Sequence, residues 1–202
     1  MEKHIIFLAL LLLSSQHIPV KISAESALDS DPNPTNFIKE ECQSTRYPAL
    51  CIGSLSTYSA TIQESHWSLA RTALSVSLTR ALFVSSFVSK MIKAKGMKPI
   101  VVRATKDCID NIGNTVDQLT SSIKELERMK RPMNGQDFIW HVSNVQTWVS
   151  SALTDQTTCL DGFSGPAMDG YVKVAIRGRV SYCAQVTSNA LALVNRFAAT
   201  HA

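Results

Sequence analysis

From Ser65 to the end of the chain, apolar residues return every three or four positions, the period of a helix with one face buried. The first long helix is predicted over about Ser65–Lys95, with Ala70, Leu74, Leu78, Ala81, Val84, Val88 and Met91 inward and a stop at Gly96. The second, about Pro99–Lys130, has the cleanest stripe: Ile109, Ile112, Val116, Leu119, Ile123 and Leu126, at intervals of 3, 4, 3, 4 and 3. Arg131-Pro132-Met133-Asn134-Gly135-Gln136 breaks the pattern. The third helix, about Asp137–Phe163, repeats it at Phe138, Val142, Val145, Val149, Ala152, Cys159 and Phe163, with Gln156 interrupting. After a turn at Ser164-Gly165-Pro166, the fourth, about Ala167–Ala199, places Val172, Ile176, Val180, Cys183, Val186, Ala190, Leu193 and Phe197 inward. No alternation of period two persists, so strands are not expected. The prediction is all-α: an up-down-up-down four-helix bundle over residues 65–199, joined by short connections. Ahead of it, Asn36–Gln43 and Pro48–Tyr58 read as two helical pieces bent apart at Tyr47-Pro48, a hairpin within residues 35–60.

The beginning of the chain has a different pattern. A short charged start and an unbroken apolar run from Ile5 to Leu13 have the length of a signal peptide and are too short to span a bilayer. Cleavage after Ile22-Ser23-Ala24 would leave a polar leader, 25–34, and a domain over 35–202. No later stretch reads as long and apolar enough to cross a membrane. Losing residues 1–24 removes Lys3, Lys21 and Glu2, so the formal charge falls from +4 to about +3. Without a run of Lys/Arg, this mild excess gives no reason to expect a nucleic-acid partner.

A secretory route makes disulfides the expected state of cysteines, and five cysteines leave one thiol over. In an antiparallel hairpin, residues equidistant from the turn lie at one height. The turn between the second and third helices is centred between Met133 and Asn134, and reflection through it carries Cys108 onto Cys159. Reflection through Gly165/Pro166 puts Cys183 level with Trp148, eleven residues from Cys159. That is roughly 16 Å of helix rise, beyond the ~7 Å Cα limit for a bridge. Cys42 and Cys51 flank the Tyr47-Pro48 bend. The expected pattern is therefore Cys42–Cys51 and Cys108–Cys159, with Cys183 a free thiol in the core.

Candidate chemistry changes the picture little. His66, His141 and His201 have no local context for a catalytic triad and read as surface or bundle-rim residues. Glu125 and Glu127 read as part of a solvated helix face. There is no Gly-rich phosphate loop, and the cysteine and histidine spacings do not suit zinc, so no cofactor, metal or catalytic residue is expected. What remains is surface. The second helix carries a polar stripe of Asp107, Asp110, Asn111, Asn114, Asp117, Gln118 and Ser121, and the third carries Thr154, Asp155, Thr158 and Asp161. Reflection sets Asp110 level with Thr157 and Asn114 level with Leu153, so the stripes should adjoin near the long disulfide.

Trp148-Val149-Ser150-Ser151-Ala152-Leu153-Thr154-Asp155-Gln156-Thr157-Thr158-Cys159-Leu160-Asp161-Gly162-Phe163 closely resembles the third-helix signature of plant pectin methylesterase inhibitors. Ala104-Thr105-Lys106-Asp107-Cys108 is similar to the cysteine segment of their second helix, and the cysteine order also resembles theirs. The resemblance implies a secreted, non-catalytic inhibitor in the cell wall. It would form a reversible one-to-one complex with a pectin methylesterase by laying the second and third helices over the pectin cleft. Matched by motif, the contacting residues would include Asp110, Asp117, Thr158 and Asp161. Asn114 stands where the family often has an acid, a departure that bears on binding strength or target choice. The wider family also holds invertase inhibitors, which tend to carry Pro-Lys-Phe between the second and third helices; Arg131–Phe138 contains no such tripeptide. Inhibition of invertase is the runner-up reading, and a structural or storage protein of the wall the third.

Overall fold

The computed structural model describes residues 33–131 and 133–201; the signal-peptide reading, and the leader up to Pro32, lie outside them. Short helices come first: α1 (Pro34–Gln43), α2 (Pro48–Leu55), a 3-10 turn at Ser56–Tyr58 and α3 (Ser59–Ile62). Four long helices follow: α4 (His66–Met91), α5 (Pro99–Arg128), α6 (Gly135–Gly162) and α7 (Tyr171–Ala199). No strand occurs among the described residues.

The starts of α1, α2, α4, α5 and α6 have local causes. Asn33 accepts a hydrogen bond from Thr35 N at 2.9 Å and Pro34 opens α1. Ser65 caps α4 by accepting from Ser68 N at 3.2 Å. Asn134 caps α6 by accepting from Asp137 N at 2.8 Å, and its amide donates to the Asp137 carboxylate. These side chains satisfy amides that the first turn leaves unpaired. Pro48 and Pro99 sit in first turns, where a missing N–H costs nothing.

Cross-helix contacts give the directions. Trp67 Nε1, at the start of α4, donates to Leu126 O near the end of α5 at 2.9 Å. Cys108 and Cys159 join α5 to α6, with Cα atoms 4.5 Å apart. Gln146 Nε2 on α6 donates to Asn195 Oδ1 on α7 at 2.9 Å, and Ser77 on α4 lies 2.7 Å from the Thr187 hydroxyl on α7. Each long helix thus runs antiparallel to both neighbours, and the four close into a ring.

Ile112, Leu119 and Leu126 of the stripe read from sequence lie on the core line of α5, but its other three positions fall one residue to the side of that line. Val101, Thr105, Cys108, Ile112, Thr115, Leu119, Ser122 and Leu126 are buried, whereas Ile109, Val116 and Ile123 are half-buried and flank them. The small hydroxyls tolerate burial because Thr105, Thr115 and Ser122 each bond the carbonyl one turn back, at 2.8, 3.0 and 2.8 Å. Small side chains on this line let α5 approach α6 closely enough for the Cys108–Cys159 bond.

The start of the fourth long helix is corrected by the structure. Pro166–Met168 forms a separate 3-10 turn, and α7 begins at Tyr171 rather than Ala167. Gly165 (φ 83°) and Gly170 (φ 145°) adopt backbone conformations that L side chains rarely take, and they interrupt the helical path. The longer connection slides α7 relative to α6. Cys183 therefore sits beside Gln156, with Nε2 to Sγ 3.5 Å, and not level with Trp148. It is a buried free thiol, as expected, but for another reason: Cys159, only three residues from Gln156, is already bonded to Cys108. Burial pushes the Cys183 thiol up to about 12, with the Thr187 hydrogen bond and the Arg80 charge opposing it.

Gln156 does not interrupt the burial of α6; it joins a polar layer inside the bundle. Its Nε2 donates to Thr187 Oγ1 at 3.0 Å, and Thr187 donates to Cys183 O at 3.0 Å while facing Ser77. The layer ties α4, α6 and α7 at one height. The N-terminal helices dock through a second set of polar contacts. Asn189 of α7 accepts from Tyr47 N at 3.1 Å and donates to Tyr47 O at 2.9 Å. Buried Glu41 meets Arg196 at 3.0 Å and His66 at 3.2 Å. The buried Cys42–Cys51 bond closes the loop between α1 and α2. By loop entropy the two bonds are worth about 2.6 and about 4 kcal/mol.

One expectation about membranes also changes. α4 contains an 18-residue window of mean hydropathy 1.3, long and apolar enough to cross a membrane by length and composition. Its apolar face is what packs against α5 and α7, burying Leu69, Ala70, Leu74, Ala81, Val84 and Val88.

Candidate functional site

The two polar stripes flank the seam between α5 and α6, held in register by the Cys108–Cys159 bond. Asp110, Asn114 and Asp117 are exposed on α5, and Asn111 is half-buried. Thr154, Thr158 and Asp161 are exposed on α6. The threonines are held in place by their own helix: Thr154 Oγ1 donates to Ser150 O at 3.1 Å and Thr158 Oγ1 to Thr154 O at 2.9 Å. Each hydroxyl keeps lone pairs free to accept on an exposed helical position.

Three further residues bridge the seam, and of these only Gln118 and Asp155 lay in the sequence stripes. Gln118 Nε2 donates to Ser151 Oγ at 2.9 Å across the two helices. Asp155 stands one turn beyond Ser151. Burial pushes its carboxyl above the usual range, and a hydrogen bond with Gln118 only partly offsets this. Gln118 Oε1 and Asp155 Oδ2 are enclosed without a hydrogen-bond partner. The spacing of Ser151 to Asp155 could have pointed to this cluster, but its partner on α5 depends on the exact helix-to-helix register.

Glu125 is the residue the sequence misplaces. It is 5 % exposed, not on a solvated face. Its carboxylate faces His141 Nδ1 at 2.7 Å, accepts from Asn144 at 3.1 Å, and lies 3.6 Å from Arg128. Burial alone would raise the carboxyl; hydrogen bonds from His141 and Asn144, with the His141 and Arg128 charges, outweigh it and hold Glu125 below its ordinary value. His66 is engaged with Glu41, and His201 stacks on Phe138 at 4.8 Å. His66, His141 and His201 are thus tied to structural partners, and the Thr200 hydroxyl 3.0 Å from His201 Nδ1 belongs to the C-cap of α7, where it also bonds Phe197 O at 2.8 Å.

The face offers exposed acids, hydroxyls and amides on two disulfide-linked helices, an arrangement suited to binding another macromolecule. The profile described as plant invertase/pectin methylesterase inhibitor matches residues 36–193, and the chain belongs to that family. It is 49 % identical over 198 residues to pectinesterase inhibitor 9 of Arabidopsis thaliana, covering 97 % of this chain and 95 % of that one. It is 43 % identical to pectinesterase inhibitor 11 of the same plant, over 98 % of each chain. A 21 kDa protein of Daucus carota is 48 % identical, over 82 % of this chain and 85 % of its own length. A solved pectin methylesterase inhibitor from Arabidopsis, in a mutant form, superposes with a TM-score of 0.61 at 21 % identity, covering 76 % of this chain and 92 % of that one, which bears on the fold alone. Relatives that span the chain are named as inhibitors of pectinesterase, so this is an inhibitor family and not a catalytic one.

Proposed function

We propose that this chain is a secreted inhibitor of pectin methylesterase that forms a reversible one-to-one complex and covers the enzyme's pectin-binding cleft. Its place of action is the cell wall, reached through cleavage of a signal peptide over residues 1–24, and its inhibitory domain spans 35–202. The observation that carries the reading is the near end-to-end likeness, at 49 % identity, to a protein named as a pectinesterase inhibitor. The polar α5–α6 face supports the mode of action. Asp110, Asn111, Asn114, Asp117, Thr154, Thr158 and Asp161 are the residues that meet the enzyme, on a rigid surface braced by Cys108–Cys159. An interface of ordinary size, about 1,600 Å² in total, is enough to block a polymer groove without touching the enzyme's carboxylates. The mechanism is steric: the chain supplies no reacting group. The absence of Pro-Lys-Phe between α5 and α6 favours an esterase over an invertase as target.

The test is titration of a purified plant pectin methylesterase and a purified invertase, with size-exclusion chromatography of each mixture. Esterase activity should fall to a plateau at one equivalent, with co-elution of the two proteins and invertase unaffected. Invertase inhibition with an unaffected esterase would transfer the reading to the other branch of the family, and inhibition of neither would end it.

A further inference from the structure

The end of the bundle away from Glu125 carries an unbalanced charge. From Lys90 to Lys106 the sequence holds Lys90, Lys93, Lys95, Lys98, Arg103 and Lys106 and no acidic residue. All six are exposed, and none takes part in an ion pair among the described residues. They span the last turn of α4, the connection and the first turns of α5, so the helical hairpin gathers them at one end. Asp107 and Asp110 lie one turn beyond Arg103 and Lys106, so the cations without a nearby acid in sequence are Lys90, Lys93, Lys95 and Lys98; their mutual repulsion is a cost that an anionic partner would relieve.

This patch borders a groove of about 250 Å³ between the α4–α5 connection and the segment leading into α7. Lys95 and Lys98 line it together with Met97, Met168 and Tyr171. Tyr171 is 75 % exposed and Val174, one turn on, is 72 % exposed. Asp169, the acid in the groove, is occupied by Lys173 at 2.8 Å and leaves the lysines on the opposite wall unmatched. Lys98 spans the gap, with Nζ 3.5 Å from Ala167 O. An exposed aromatic ring beside a row of ammonium groups suits a ligand with apolar ring faces and regularly repeated carboxylates.

We infer that the Lys90–Lys98 segment, with Tyr171, is a binding site for an acidic polysaccharide, a polymer of uronic-acid sugars bearing free carboxylates. Sugar faces lie on Tyr171 while successive carboxylates meet Lys93, Lys95 and Lys98. The identity of the polymer as de-esterified pectin, the product of the enzyme this chain is proposed to inhibit, rests on that reading; the polymer's chemistry is argued from the patch itself. Lys98 is separated from Asp110 by roughly 18 Å of helix rise, so the end can hold polymer while the α5–α6 face holds enzyme. A wall-bound inhibitor would then be concentrated where free carboxylates have accumulated.

Affinity electrophoresis of the full mature chain through gels containing polygalacturonate, without any esterase, tests this. The wild type should be retarded, and raising salt from 0.1 to 1 M should release it as the Debye length contracts from about 10 to about 3 Å. Lys93→Gln/Lys95→Gln/Lys98→Gln should weaken retention at least about tenfold, and Tyr171→Ala about threefold or more, each with an unchanged melting temperature. Equal retention of either variant and the wild type would overturn the site. So would equal binding to fully methyl-esterified pectin, which has lost the carboxylates, or to double-stranded DNA, which would make the patch a general polyanion surface. Because no enzyme is present, failure here leaves the esterase titration standing, and failure of the titration leaves this result standing.

Discussion

Glu125 and Asp155 are carboxylates on facing helices whose surroundings move them in opposite directions. Glu125 is buried among donors that reward its charge, and Asp155 has an enclosed oxygen that nothing reaches. For Glu125 the folded value lies below the unfolded one, so its contribution is present above the ordinary carboxyl range and is lost as pH falls through the depressed value. Glu125→Gln should therefore cost about 1–3 kcal/mol near pH 7, from a weakened bond to His141 and Asn144. The deficit should shrink as pH drops below about 4, where the wild-type carboxyl is itself protonated. Denaturant melts of both proteins between pH 3 and 7 measure this, and a deficit constant across that range would rule out the charged network as its source. For Asp155 the sign reverses: its folded value is raised, so its relative contribution is greatest below the ordinary range and is lost as pH rises through the raised value.

At the scale of elements, the polypeptide's helices were plain in the sequence because their causes are local. Ser65 and Pro99 mark two starts, the third long helix begins at Gly135, two residues before the Asp137 read from sequence, and the three-four spacing of Phe138, Val142, Val145 and Val149 names a face that is wholly buried. The Cys108–Cys159 pairing was legible because the α5–α6 turn is short enough for reflection to hold. The same reasoning failed for α7, where Gly165 and Gly170 lengthen the connection by conformations that no apolar pattern records. Gly165→Ala tests that assignment. Open space surrounds the position, so an added methyl group meets nothing and the cost comes from backbone strain alone. It should lower stability by about 1–3 kcal/mol in a thermal or urea melt, with inhibition of the esterase unchanged. No loss of stability would mean that the connection can take another path. Glu125 was misplaced for a related reason: its burial depends on His141 and Asn144 of α6, which sequence spacing on α5 cannot reveal.

The whole molecule combines a ring of antiparallel helices, an internal Gln156–Thr187–Ser77 layer that fixes their heights, and a clamp from Asn189 and Glu41 onto the N-terminal helices. None of these polar contacts lies on the α5–α6 face, so the face can be altered without loosening the bundle. That separation lets the central claim be tested cleanly. Thr158→Trp places bulk beside the disulfide, and Asp110→Lys reverses a charge on the neighbouring helix; both positions are exposed. Surface changes of this kind cost stability within about ±0.5 kcal/mol when the surface has no other role. Lys124→Glu, exposed on α5 nearer its C-terminus, is the control, since Glu125 is buried. The decisive measurement is the dissociation constant of each variant with a purified pectin methylesterase, paired with its melting temperature. The proposed docking face requires Thr158→Trp and Asp110→Lys to raise that constant at least about tenfold while Lys124→Glu stays near wild type and all three melt alike. Wild-type inhibition by both folded face variants would contradict it and place the contact with the enzyme elsewhere on the bundle.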